Sequence, residues 1–336
     1  MKPRITILTV GDSPDRDTYR KFHKEKPFIL RAGFDYATAS YKRLLARGTG
    51  TLKTKKVIVF LFFPFLYRNE FIEHKNYKGV YGNRAFYEKF IRFWAKADRA
   101  LRDSLSGKNV VFVNPPLLCG LYRDKLTVAK RFLHTNVSSP KLYKISRPGE
   151  IRDLLEKGRS FFVKPRYGSM GKGVTFLSRS SWQTNFAFKN SKIISRPSDR
   201  GWKFRDITEE KGFLRELLRK DVLIEGAIDS SRLKKTKSDF RVYTFFGEII
   251  YMKKFPGHLV KKAKTLAADT SRALGVNLIE MDIMTDKNLK DLYVVDVNLF
   301  PDLPKRKAFN ISRYMIKKVV KLNKNGGLRY EKIYTA

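Results

Sequence analysis

The segment FFVKPRYGSMGKGVTFL, residues 161–177, constrains the fold of this chain more than any other stretch. An apolar β run (Phe161, Phe162, Val163) ends in Lys164, and Pro165 then removes a ladder donor and stops the strand. Gly168, Gly171 and Gly173 leave the backbone between two strands free to curl and to approach a ligand closely. Such a loop can aim several N–H groups at phosphate oxygens while the lysine supplies a point charge. The segment therefore suits nucleotide phosphates, and it also suits a glycine-rich hairpin with surface lysines. The G-x-x-x-x-G-K-[ST] loop is absent, as is a G-x-G-x-x-G between a strand and a helix, which disfavours P-loop NTPases and dinucleotide-binding dehydrogenases.

The segments that follow sharpen this reading. DVLIEGAID (221–229) is a short apolar strand that reaches an acidic residue and glycine. SDFRVYTFFGEIIYMKK (238–254) reads as two strands joined at Phe246-Gly247, with Asp239 and Arg241 on the first. GVNLIEMDIMTD (275–286) and LYVVDVNLFPDLP (292–304) are apolar runs interrupted by acidic residues. Asp296 and Asn298 are two apart, so a strand puts both on one face. Together with Asp282 they would form a hard oxygen site suited to Mg²⁺ bridging nucleotide phosphates. Taken singly, each also suits a strand-end side chain facing solvent.

The order of these motifs resembles the ATP-grasp superfamily, specifically its carboxylate–amine ligases. The matching residues are Asp124-Lys125, Lys164-Pro165 with Gly168 to Gly173, Glu225, Asp239-x-Arg241, and Asp282 with Asp296-x-Asn298. The resemblance spans roughly residues 121–305 and is similar to the RimK-like, YheC/YheD-like and tubulin-tyrosine-ligase-like members. It implies an α+β chain: an ATP-grasp fold of two α/β lobes clasping ATP, preceded by an N-terminal α/β lobe. It also implies roles. Lys125 and Lys164 would hold the α- and β-phosphates, and the loop with Gly168, Ser169, Gly171 and Gly173 would close over them. Ile224, Glu225, Gly226 and Ala227 would form the adenine hinge, with Asp229 near the ribose. Arg241 would sit at the γ-phosphate and the reacting carboxylate, assisted by Lys253 or Lys254. Asp282, Asp296 and Asn298 would carry Mg²⁺.

Two departures from the family pattern are visible. Asp296 stands where glutamate is usual, one methylene shorter with the same charge. The stretch KKFPGHLVKKAKTLAADTSRALG (253–275) passes into a helical pattern without the polar, glycine-ending loop of the RimK-like enzymes. That difference bears on the substrate rather than on ATP.

The expected organisation is an N-terminal α/β lobe (1–120), a small lobe with the glycine loop (121–180), a large lobe with hinge and metal site (181–310), and a basic C-terminal helix and tail (311–336). In the first lobe, β runs at 4–10, 57–67 and 109–113 alternate with helix-compatible stretches at 34–46 and 84–105. Further on, 127–137 and 149–158 suit helices, the latter closed by Gly158, and a strand is expected between Pro140 and Ile145. Residues 182–213 are polar, basic and aperiodic, which suits an insertion or loop. The longest apolar run, VIVFLFFPFLY, is far shorter than the roughly 20 residues a membrane helix needs. The N-terminus lacks signal-peptide features, and the single Cys119 excludes a disulfide framework and suits a buried site. A cytoplasmic protein is expected.

The formal net charge of +39, from 71 Lys+Arg against 32 Asp+Glu, far exceeds what ATP requires. Such a surplus recruits anions at long range, whether an acidic peptide, an anionic polymer or RNA. RYMIKKVVKLNK (313–324) suits a basic amphipathic helix on an anionic surface, while a general lysine bias also accounts for the charge. The function expected is an ATP- and Mg²⁺-dependent ligase that joins a carboxylate to an amine through an acyl phosphate. The alternatives are an ATP-grasp kinase acting on an anionic substrate and a non-catalytic polyanion- or RNA-binding protein.

Overall fold

The computed structural model describes residues 5–12, 17–72, 80–195, 203–208, 210–229, 239–252, 256–302 and 310–333. Strands β1 (Ile5–Val10), β2 (Asp35–Ala39), β3 (Lys56–Leu61) and β4 (Asn109–Phe112) form a parallel sheet in the order β4-β3-β1-β2. β1 is buried throughout and β3 nearly so, as expected when both faces of a parallel sheet are covered. Helix Arg84–Ser104, capped by Asn83 accepting from the Phe86 N–H at 3.0 Å, packs Phe86, Phe90, Phe93 and Trp94 on one face. Cys119 is buried in the same aromatic core.

The stretch 34–46, expected to be helical, is instead strand β2 followed by helix Tyr41–Arg47. Ser40 makes the break: its hydroxyl accepts from the Arg43 N–H at 3.1 Å and starts the helix there. The apolar run at 57–67 is a strand only to Leu61 and becomes a helical turn at Phe65–Tyr67, after Pro64.

The next sheet holds β5 (Leu142–Tyr143), β6 (Phe161–Pro165), β7 (Thr175–Leu177), β8 (Trp182–Thr184), β11 (Arg205–Asp206) and β12 (Val222–Gly226), in the order β11-β8-β7-β6-β12-β5. β9 (Ala187–Lys189) and β10 (Lys192–Ile194) form a separate hairpin. The described residues of 182–213 are therefore not an aperiodic insertion: Phe186, Ile193 and Ile207 bury against Phe213 and Leu217 in this lobe's core. Strands of two or three residues are too short for a period of two to show in sequence.

β13 (Asp239–Phe245), β14 (Glu248–Met252), β15 (Leu278–Thr285) and β16 (Leu292–Asn298) form an antiparallel sheet ordered β14-β13-β15-β16. One side, with Val242, Ile279, Met281, Ile283 and Val294, packs on helix Val260–Leu274. Tyr243, Phe245 and Leu278 join Ile7, Ile58 and Phe60 of the N-terminal sheet in a shared core.

The basic helix Ile311–Lys324 does not lie free on the surface. Ile311, Met315, Ile316 and Val319 are buried in that shared core. Buried Glu25 accepts from Asn310 at 2.6 Å and Arg313 at 2.8 Å, and Lys318 pairs with Glu248. β17 (Glu331–Lys332) then adds antiparallel to the edge of β4. Among the described residues no helix is long and apolar enough to cross a membrane.

Asn114, just past β4, locks this arrangement. Its amide nitrogen donates to the Leu278 carbonyl at 2.7 Å and the Leu299 carbonyl at 3.2 Å. Its oxygen accepts from the N–H groups of Asn277 and Leu278 at 3.0 and 2.9 Å. The Asn277 N–H also donates to the Val113 carbonyl at 3.1 Å, but removing the buried amide takes a hydrogen-bond partner from the other backbone groups it joins. Asn114→Ala should therefore lower the unfolding free energy by about 2–4 kcal/mol in urea titrations. A loss below about 1 kcal/mol would show that the clamp is dispensable.

Candidate functional site

The face of the β13–β16 sheet opposite helix Val260–Leu274 carries charge. Register places Arg241 opposite Asp282, Asp282 opposite Asp296, and Glu280 opposite Asn298. A β-bulge produces the last two alignments together: Ile283 pairs with Val294, leaving Val295 as the extra residue. Bulges re-aim side chains and leave backbone groups outside the ladder. Here the Val295 carbonyl accepts from Lys164 Nζ at 2.9 Å, so the bulge receives a cation from the neighbouring sheet.

Lys164 lies on β6 and Glu225 on adjacent β12. Their ion pair is 2.6 Å long, with the side chains 14% and 10% exposed. Burial works against the charge of Lys164, but Glu225 and Asp296 outweigh it and hold the ammonium's pKa above its ordinary value. Lys125 opens helix Lys125–His134, and its ammonium pairs with Asp296. Asp124 caps that helix through the Leu126 N–H at 3.0 Å and takes both arms of Arg166 at 2.6 Å. The bidentate fork fixes Lys125 relative to the Lys164 strand.

On the acidic floor, Arg241 Nε lies 3.0 Å from Asp282 and 3.1 Å from Glu280. Burial pushes the Glu280 carboxyl up to about 7 despite Arg241, and Asp282, Asp302 and Asp296 add to the rise. Burial also raises Asp282. Asp296 goes the other way: desolvation is overcome by Lys125 and Lys164, which hold its carboxyl below the usual range.

The glycine loop closes one side. Met170, Gly171 and Gly173 have φ of 57°, 64° and 76°. A Cβ at Gly173 would meet Pro165 at 2.4 Å and Phe186 at 2.5 Å, so this glycine is required for packing beneath the loop. Ser169 Oγ receives Arg123 at 2.9 Å and lies 3.0 Å from the Tyr81 hydroxyl. Gly82 lets the N-terminal lobe touch the loop: a Cβ there would stand 2.6 Å from the Gly168 backbone. Arg123 also donates to the Tyr167 carbonyl at 2.9 Å and lies over the rings of Phe86 and Phe90. Its guanidinium has no carboxylate partner among the described residues.

Between the loop and the acidic sheet lies a cleft of about 370 Å³. Lys125, Gly168, Ser169, Gly171, Glu225, Arg241, Asp282, Asp296 and Asn298 all line it. Lys164 reaches its wall through Glu225 and Val295. Ile224 turns into the core of the small lobe, Ala227 donates its N–H to the Ser160 carbonyl at 2.8 Å, and Asp229 pairs with Lys287 at 2.8 Å. Lys253 and Lys254 lie outside the described residues. Glu280, Arg123 and Arg68 line the cleft without having been singled out in the sequence. Glu280 carried a signal, since it stands two residues before Asp282; the two arginines carried none.

The donor set of Asp282, Asp296 and the Asn298 amide oxygen is hard and oxygen-only, which fits Mg²⁺. Among the described residues no three His, Cys, Asp or Glu side chains gather around one point. Asp282 and Asp296 are instead each held by a cation, Arg241 and Lys125.

Residues 120–245 match the family model described as YheC/D like ATP-grasp. The fold is ATP-grasp. The ATP-grasp ligase PsnB, solved with a phosphomimetic variant of its minimal precursor, Mg and ADP, superposes with a TM-score of 0.56 at 11% identity, covering 94% of this chain and 96% of that one. Macrocyclase MdnC, bound with precursor peptide MdnA from Microcystis aeruginosa MRC, gives 0.56 at 11% identity over 94% and 99%. A RimK domain ATP-grasp protein from Sphaerobacter thermophilus DSM 20745 gives 0.52 at 12% over 94% and 98%. No curated protein matches the sequence.

The Lys164–Glu225 pair makes a testable joint between two strands of this ATP-grasp sheet. Removing either partner strands the other, so Lys164→Met and Glu225→Gln should each cost about 3 kcal/mol of stability. The double variant should cost less than the sum by about 1–3 kcal/mol, measured by urea unfolding. Additive losses would show that the two groups do not depend on each other.

Proposed function

We propose that this chain is an ATP- and Mg²⁺-dependent ligase that joins a carboxylate to an amine through an acyl phosphate. The observation that carries the reading is the register of the acidic sheet. Asp282 opposes Asp296 on adjacent strands, with Arg241 on the next, in an ATP-grasp cleft that also holds Lys125 and the glycine loop. Non-catalytic binding of a polyanion would not require two opposed carboxylates at the floor of the cleft. The comparison with PsnB, a ligase solved with Mg and ADP, supports the same reading.

In this reading Lys125 and Lys164 hold the α- and β-phosphates, and Gly168, Ser169 and Gly171 close over them. The strand around Ile224, Glu225 and Ala227 receives adenine, with Asp229 beyond it toward the ribose. Asp282, Asp296 and Asn298 hold Mg²⁺, which when bound offsets the negative charge of the phosphates during transfer. To hold the ion, Asp296 would give up its pair with Lys125 and Asp282 its pair with Arg241. Arg241 then faces the γ-phosphate and the substrate carboxylate, where its planar guanidinium neutralises the charge that develops. Lys253 or Lys254, outside the described residues, would assist the transfer.

A carboxylate oxygen of the substrate forms a bond to the γ-phosphorus as the bond to the ADP oxygen breaks. The amine nitrogen then attacks the acyl carbon, inorganic phosphate leaves with the bonding pair, and the nitrogen loses its proton late. No histidine is needed, because the acyl phosphate is already activated. Arg123 lines the cleft and has no carboxylate partner among the described residues, which suits an anionic substrate. The surplus of +39 supports an anionic or polyanionic substrate for the same reason.

Hydroxylamine tests the chemistry. Supplied with ATP, Mg²⁺ and a panel of carboxylates without amine, the protein should yield a hydroxamate together with ADP and phosphate. Arg241→Ala should reduce hydroxamate formation by roughly 10²–10³-fold while leaving ATP affinity within a few-fold. A stable phosphate ester with no free phosphate would instead identify a kinase.

A further inference from the structure

The hydroxyl of Ser169, on the glycine loop, ends a chain of hydrogen bonds that starts outside the loop. Its Oγ accepts from Arg123 Nη2 at 2.9 Å and lies 3.0 Å from the Tyr81 hydroxyl, which in turn accepts from Arg68 Nη2 at 2.7 Å. Tyr81 is held firmly. It is fully buried, its N–H donates to Ser195 Oγ at 3.3 Å, and the Lys172 ammonium stands 4.6 Å from its ring centroid.

The direction of the chain follows from the donors. A guanidinium donates and never accepts, so Arg68 donates to Tyr81 and Arg123 to Ser169. One proton lies between the two hydroxyls. Were Ser169 its source, the Tyr81 oxygen would accept twice and its own proton, on a buried side chain, would have no acceptor among the described residues. An unpaired buried donor is costly, so Tyr81 donates. Ser169 Oγ then accepts from both Tyr81 and Arg123, which occupies both of its lone pairs. Only its proton is left. No described residue accepts that proton, and Ser169 lines the cleft.

We propose that Arg68, Tyr81 and Arg123 are positioning residues that set the Ser169 hydroxyl as a one-way donor into the cleft, where it binds a phosphate oxygen of the nucleotide. Phosphate binding rests on the nucleotide reading of the cleft given above; what the chain adds is the N-terminal lobe, acting on the phosphate through Ser169 without touching it. A serine hydroxyl with a free lone pair rotates between roles and loses that freedom on binding. With both lone pairs occupied, its donor is oriented beforehand. The two guanidinium groups also polarise the hydroxyls along the chain, and the final bond, to an ionised oxygen, is of the stronger charge-assisted kind.

The test titrates the full chain by calorimetry with Mg²⁺ and a non-hydrolysable ATP analogue, and with adenosine by ligand-observed NMR. Ser169→Ala should weaken the analogue roughly tenfold, and Tyr81→Phe, which removes one oxygen and keeps the ring, roughly fivefold. The double variant should bind no more weakly than Ser169→Ala, because Tyr81 acts through Ser169. Adenosine, which has no phosphate, should bind Tyr81→Phe as it binds the wild type. A tyrosine that only supports the fold would weaken both ligands and would do so in the Ser169→Ala background too. Either of those results, or an unchanged analogue affinity in Tyr81→Phe, overturns the assignment and leaves the cleft a nucleotide site. Should Tyr81→Phe fail to fold, Ser169→Ala decides alone, at a partly exposed loop position: unchanged analogue affinity there removes the donor. If the wild-type chain does not bind the analogue at all, the nucleotide reading falls and the role of Ser169 falls with it.

Discussion

Lys164 joins the two halves of the cleft. From β6 its ammonium pairs with Glu225 on the neighbouring strand and donates to the carbonyl that the β16 bulge leaves outside its ladder. A buried ammonium survives only with such partners, because desolvation alone would drive off its proton. The bulge thus has two consequences. It brings Asp296 opposite Asp282, and it offers Lys164 a backbone acceptor from the other sheet. The Asp124–Arg166 fork complements this joint by fixing Lys125 on the same side.

The site is held together by charges that nucleotide binding would redistribute. Arg241 neutralises Glu280 and Asp282, and Lys125 neutralises Asp296. These pairs keep an acidic floor from repelling itself, and Lys125 and Lys164 hold the Asp296 carboxyl below its usual range. The N-terminal lobe takes part as well. Tyr81, Gly82 and Arg123 meet the glycine loop, so the loop's position is set partly by residues far from it in sequence.

Much of this was legible in the sequence. Lys164, Arg241, Asp282, Asp296 and Asn298 interrupt apolar strands, where a polar side chain is conspicuous, and a period of two placed Asp296 with Asn298. The same rule reaches Glu280. What sequence does not reveal is contact across long separations. Asn114 finds Leu278 164 positions away, and the acceptor of Lys164 is a backbone carbonyl that no side-chain pattern marks. The basic helix Ile311–Lys324 shows the same gap. Its lysines suggested a surface for anions, but its apolar stripe completes the core between two sheets, with Glu25 holding its first turn. The strands between Trp182 and Asp206 were hidden by their shortness.

The central claim is that the cations now pairing with Asp296 and Asp282 give way to nucleotide and metal in this cleft. A crystal structure with Mg²⁺ and a non-hydrolysable ATP analogue tests it most directly. The account predicts phosphates between Lys125, Lys164 and the Gly168 to Gly173 loop, metal on Asp282, Asp296 and Asn298, and Lys125 parted from Asp296. Nucleotide bound elsewhere, or bound here with the Lys125–Asp296 and Arg241–Asp282 pairs intact and no metal between them, would contradict it.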